Sequence, residues 1–130
     1  RERADFLNYK KEERERVEGL IKYVNEELIL KLLPVLDAFD LAKKEAPETL
    51  KKEKWFVGFL QIKKQLEKVL ESEGVEVIEV KDEEFHPEFQ EAVEFVEQEG
   101  KESGKIVKVL SKGYKLRDKV IRPVKVRVAK

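Results

Sequence analysis

The sequence predicts an α+β protein: a long N-terminal helix that pairs in a dimer, two short helices that form a dimeric four-helix bundle, and a small C-terminal all-β module. Three observations carry this. Residues 1–33 contain no proline and one glycine, Gly19, and are mostly good helix formers. Residues 34–73 hold two short amphipathic stretches set apart by prolines. From Gly74 to Lys130 the apolar spacing changes from helical to alternating.

In the first segment Val17, Ile21, Val24, Leu28 and Leu32 recur at intervals of four, three, four and four, which writes one stripe along a helix. Phe6, Val17 and Leu28 are eleven apart, a period that favours a nearly straight or slightly right-handed pair of helices. Between them Lys10 to Arg16 is an unbroken charge run with no seam residue. A lone helix of this kind has too little packing to persist in water, so it must pair. A second copy is the simplest source of the matching stripe.

Pro34 lacks an amide proton and crowds the preceding turn, which predicts that the long helix ends or kinks there. A new short helix then runs from Val35 to about Lys44 and carries Val35, Leu36, Phe39 and Leu41. Ala46-Pro47-Glu48-Thr49 breaks it. A third helix is expected from roughly Lys51 to Ser72, with Phe56, Phe59, Ile62, Leu66, Val69 and Leu70 on one face and Gly74 as its stop. Two such helices enclose no core alone, but doubled by a dimer they make a bundle. The dimer is therefore assigned to Phe6, Val17, Ile21, Val24, Leu28, Leu32, Val35, Phe39, Phe59, Ile62 and Leu66.

Beyond Gly74, Val75-Glu76-Val77, Val80, Val93, Phe95 and Ile106 to Leu110 read as strands. Glu99 to Gly104 and Ser111-Lys112-Gly113 are turn chemistry. Val124, Val126 and Val128 alternate with charged neighbours, and Pro123 must stand at a strand start or an edge. A module this small suits a rigid contact head better than a catalytic chamber.

Composition narrows the function. At 43% charged and 41% hydrophobic, the chain is too apolar for a disordered tail and too charged for one sphere, so an elongated shape is expected. Lys+Arg 28 against Asp+Glu 28 gives no general affinity for nucleic acid. The charge is unevenly placed: Glu71 to Glu99 holds twelve acids and one base, Lys101 to Lys130 eleven bases and two acids. Either the two segments offset each other within one small sheet, or the basic edge faces an acidic patch on a partner. Both can hold together. The absence of cysteine fits a reducing cytosol, and no run of membrane-spanning length occurs, so a cytoplasmic location away from membranes is expected. His86 is the only histidine, there is no cysteine, and neither Phe85 to Val93 nor Gly113 to Val128 offers a nucleophile, a metal cage or a phosphate loop. Neither an enzyme nor a cofactor or metal site is expected.

Several phrases resemble the GrpE family, the nucleotide exchange factors of DnaK-type heat-shock chaperones. They are Phe85-His86-Pro87-Glu88-Phe89-Gln90-Glu91-Ala92-Val93 and Gly113-Tyr114-Lys115-Leu116-Arg117-Asp118-Lys119-Val120-Ile121-Arg122, behind Ala4-Asp5-Phe6-Leu7-Asn8-Tyr9-Lys10-Lys11. Leu32-Leu33-Pro34-Val35-Leu36-Asp37 looks like the family hinge, Gly58 and Gln65-Leu66 resemble parts of its third helix, and Gly74-Val75-Glu76 precedes its β module. The chain departs from the pattern at His86, usually small and polar, at Gln90, usually histidine, and at Pro123-Val124, where a small residue is common.

The resemblance implies a homodimer whose β module inserts against one lobe of the nucleotide-binding domain of a DnaK-type chaperone. It is then a nucleotide exchange factor that stabilises the open state and accelerates ADP release. Phe85, Pro87 and Leu110 match apolar contact positions, and Lys119 and Arg122 basic ones. Lys10 and Lys11 match basic positions on the long helix, and Gly58 a small-residue position. Phe85 and Leu110 serve equally well as sheet core, and Lys10 and Lys11 as a solvated face. The alternative function is a homodimeric coiled-coil scaffold or adaptor whose β-rich head binds protein without exchange activity.

Overall fold

A computed structural model describes all residues from Arg1 to Lys130. It is built on one helix, α1 (Glu2–Glu45), of 44 residues. At 1.5 Å per residue such a helix is about 66 Å long. A single turn, α2 (Glu48–Lys51), leads into α3 (Lys54–Ser72). Six strands follow: β1 (Val75–Val77), β2 (Gln90–Val96), β3 (Ile106–Ser111), β4 (Tyr114–Leu116), β5 (Lys119–Arg122) and β6 (Val124–Ala129).

The expected break at Pro34 is absent. The helix continues through it, so the segment from Val35 to Lys44 is the end of α1 and not a new helix. The lost amide leaves the Leu30 carbonyl without its helical partner, and Leu30 and Pro34 are both exposed, so the oxygen lies on the solvent side. On the opposite side Leu33 and Leu36 are buried and hold the helix across the defect. The stop comes instead at Pro47, with Ala46 in extended geometry before it. The third helix begins at Lys54 rather than near Lys51, the intervening residues forming the α2 turn. Its end is as expected: Gly74 adopts φ 91°, and its amide closes onto the Glu71 carbonyl at 3.0 Å.

The strands make two three-stranded sheets. In one, β4 lies between β1 and β5, all antiparallel. In the other, β6 lies between β2, parallel, and β3, antiparallel. Pro123 stands just before β6, the strand start its missing amide requires. The pair β4 and β5, closed by Arg117 (φ 58°) and Asp118, was not foreseen.

Two cores result. Ile29, Leu33 and Leu36 of α1 join Leu70, Val75 and Tyr114 in the first, which seats the β1–β4–β5 sheet on the helix. Ile78, Ile106, Val124, Val126 and Val128 form the second, inside the head, with Phe85, Phe89 and Val120 packed around it. Where α3 meets the end of α1, Phe39 and Phe59 stand 5.0 Å apart and Phe56 stacks on Phe59 at 5.7 Å. Lys63 of α3 reaches Asp40 of α1 at 2.6 Å. The α3 face expected to be uniformly apolar is split: Phe56 and Leu70 are buried, while Ile62 and Val69 are exposed.

Candidate functional site: the β head and its seat on the stem

Helix α1 presents two apolar stripes rotated from each other. Phe6, Val17, Ile21, Val24 and Leu28 lie on one, and all are exposed. Ile29, Leu33 and Leu36 lie on the other, under the head. Of the remaining residues assigned to a dimer, Val35 and Ile62 are also exposed, Leu32 and Leu66 pack beside the first core, and Phe39 and Phe59 face each other. An apolar stripe of this length left open to water carries a substantial free-energy cost.

The residues matched to partner contacts fall in three places. Phe85 and Pro87 lie on the loop before β2, Phe85 half-buried against the head core and Pro87 exposed. Leu110 is half-buried in β3. Lys119 and Arg122 open and close β5. These five share the head. Lys10 and Lys11 are exposed on α1, Lys10 standing 4.9 Å over the Phe6 ring, and they lie well toward the N-terminus of any head contact. Gly58 belongs to the far end of α3 from the head, with open space where a Cβ would stand.

The loop before β2 is shaped by its departures from the family pattern. The His86 amide donates to the Gln90 side-chain oxygen at 2.8 Å, while the Gln90 amide donates to the His86 carbonyl at 2.9 Å. Gln90 is the buried polar residue of the head, and this exchange satisfies it. The His86 ring stacks on Phe89 at 5.2 Å. A cleft of about 400 Å³ opens here beside Ile78 and Lys115. Its charged lining is Glu76, Glu79, Lys81, Asp82 and Lys115, with Asp82 3.5 Å from the His86 ring.

The charge asymmetry resolves in part into pairs. Arg127 binds Glu94 across β6 and β2 at 2.7 Å, Lys101 binds Glu83 at 2.6 Å, and Lys105 binds Glu84. Other bases of the segment turn to the stem: Lys119 meets Glu26 at 2.8 Å, and Arg122 takes both oxygens of Asp37 at 2.6 and 2.8 Å. Lys112 faces Asp40 at 3.4 Å. Sequence reasoning missed these three acids. The signal was present: Glu26, Asp37 and Asp40 share the helix face of Ile29, Leu33 and Leu36, at spacings close to whole turns. Hydrogen bonding to Asp37 raises the pKa of Arg122 against the opposing effect of burial. Burial pushes the neighbouring Tyr114 phenol up to about 12. A cleft of about 430 Å³ lies between α1, α3 and β1; of its charged lining, Asp40, Lys63, Glu67 and Lys112 are paired among themselves, while Glu71, Glu76 and Glu79 make no ion pair.

Comparison with known proteins agrees with this architecture. The GrpE family model matches residues 1–130. The protein named Protein GrpE in Halalkalibacterium halodurans is 42% identical over 96% of this chain and 64% of its own length. Those of Bacillus pumilus and Pseudothermotoga lettingae are each 41% identical, over 98% of this chain and 69% and 72% of their own lengths. The chain thus spans about two thirds of the length of the relatives it matches. No helix is long and apolar enough to cross a membrane. With the match running from the first residue to the last, through stem, α3 and head alike, the chain belongs to the GrpE family.

Proposed function

We propose that this chain forms a homodimer and acts as a co-chaperone, binding the nucleotide-binding domain of a DnaK-type chaperone, holding it open and accelerating ADP release. Family membership over the whole chain is the observation that carries the reading. The geometry supports it. The open stripe of α1 fits a second copy of itself, and Val35, Ile62 and Val69 extend an apolar surface toward a four-helix bundle. The stem then carries a head whose loop Phe85–Pro87, strand residue Leu110 and hairpin residue Lys119 face a partner.

Exchange follows from linkage. A ligand moves a conformational equilibrium only through its differential affinity for the two states. Turning an open lobe arrangement from rare to dominant takes about 5.5 kcal/mol of preference. A rigid head with an apolar patch and a few charge contacts supplies energy of this order, because little is lost in ordering it. No contact with the nucleotide is required. Reciprocity then makes nucleotide expel the factor by the same ratio.

Titration calorimetry of the protein into a DnaK-type chaperone, nucleotide-free and then saturated with ATP, tests this. The exchange reading expects tight binding to the empty chaperone and a loss of roughly 100-fold or more with ATP. Equal affinity in both states contradicts it and leaves a scaffold.

A further inference from the structure

The hairpin β4–β5 meets α1 through two direct ion pairs, with a third beside them. Glu26 holds Lys119 and Asp37 holds Arg122, eleven residues and three helical turns apart, or about 16 Å along the helix axis. Ile29, Leu33 and Leu36 lie buried between and beside them. Apolar burial is non-directional, so the first core keeps the head on the stem without fixing its angle. A bidentate Arg–carboxylate fork does fix an angle.

Arg122 is held on every side. Its Nη1 and Nη2 donate to Asp37, its Nε and Nη2 donate to the Lys112 carbonyl at 3.0 and 2.5 Å, and its guanidinium lies 5.0 Å over the Tyr114 ring. Its side chain is 19% exposed, against 67% for Lys119 on the same strand. Four of its five N–H donors are thus already engaged within the chain.

We propose that Asp37 and Arg122 are positioning residues that lock the angle of the head on the stem, and that Arg122 acts through Asp37 without touching the partner. The functional half of this rests on the exchange reading; the structural half does not.

The chain has no cysteine, so spin labels can be placed at Glu18→Cys on the stem and Lys108→Cys on the head, both exposed, and diluted into unlabelled protein. Pulsed dipolar distances should be narrow in the parent. They should broaden roughly twofold in Asp37→Asn and in Arg122→Gln, with helix content by circular dichroism unchanged. Stimulation of ADP release from a DnaK-type chaperone should fall about tenfold in each, and the double variant should be no worse than either single one. Arg122→Lys, which keeps the charge but loses the fork, replaces any variant that unfolds and should also broaden the distances. Unchanged distances in Asp37→Asn overturn the proposal. So does an Arg122→Gln defect in release that persists in full on top of Asp37→Asn, because that marks a direct contact. If the parent protein leaves ADP release unaltered, the exchange reading fails and the distances alone decide whether the fork locks the head.

Discussion

At the scale of single residues, close approach and burial decide more than charge. A Cβ on Gly113 would stand 2.5 Å from the Val124 amide nitrogen and 2.8 Å from the Pro123 carbonyl carbon, both backbone atoms that cannot yield. Gly113→Ala should therefore cost about 2–4 kcal/mol, read as a fall in the urea midpoint. A midpoint within error of the parent would mean that Gly113 does not press against the backbone at Pro123 and Val124. Tyr114 gives the protein a pH dependence. Its phenol is raised to about 12, chiefly by burial, so the folded state favours the protonated form. Stability from this group is whole below its ordinary value of about 10 and is lost as pH rises through about 12. Tyr114→Phe should flatten the decline in stability between those pH values; an unchanged slope would assign the decline elsewhere. The resemblance pointed to Lys119 and Arg122 as a pair, yet the structure separates them. Only the fold brings Asp37 to Arg122, across 85 residues of chain, and no local spacing in either segment reveals it.

At the scale of elements, periodicity made most of the architecture legible. The stripe Val17 to Leu28, the stop at Gly74 and the alternating valines of the last strand are where the spacing put them. Pro34 misled because propensity arguments weigh a residue's local cost without the packing that opposes it. Here Leu33 and Leu36 are buried on the far side, and the exposed defect costs less than their core gains. Pro34→Ala should restore a helical hydrogen bond and raise stability by about 1–3 kcal/mol, seen as a higher thermal midpoint. A lower midpoint would show that the proline is accommodated by more than tolerance. The short hairpin β4–β5 escaped notice because strands of three and four residues carry too little alternation to register. On the stem, Ile21→Asp together with Leu28→Asp places two charges in the open stripe and leaves the head's own seat untouched. Sedimentation equilibrium at micromolar concentration should then show a monomer where the parent is a dimer, with the β signals of the head retained. A dimer that survives both changes would move the interface off this face.

At the scale of the whole molecule, the high charge content has a structural explanation. A helix about 66 Å long offers surface for solvated charge that a sphere would lack. The basic C-terminal segment shares part of its charge with the acids of β2 and the loop before it and part with the acids of the stem, while Arg117 and Lys119 stay exposed on the hairpin. Sequence showed that a head and a stem exist. It could not show how one is fastened to the other, since that depends on residues far apart in the chain meeting in three dimensions. The most direct measurement is stopped-flow release of a fluorescent ADP analogue from a DnaK-type chaperone, with and without this protein. The account predicts release accelerated about 100-fold or more at saturation, the scale of a cleft moved from mostly closed to mostly open. A release rate that does not change as the protein is titrated to saturation contradicts it.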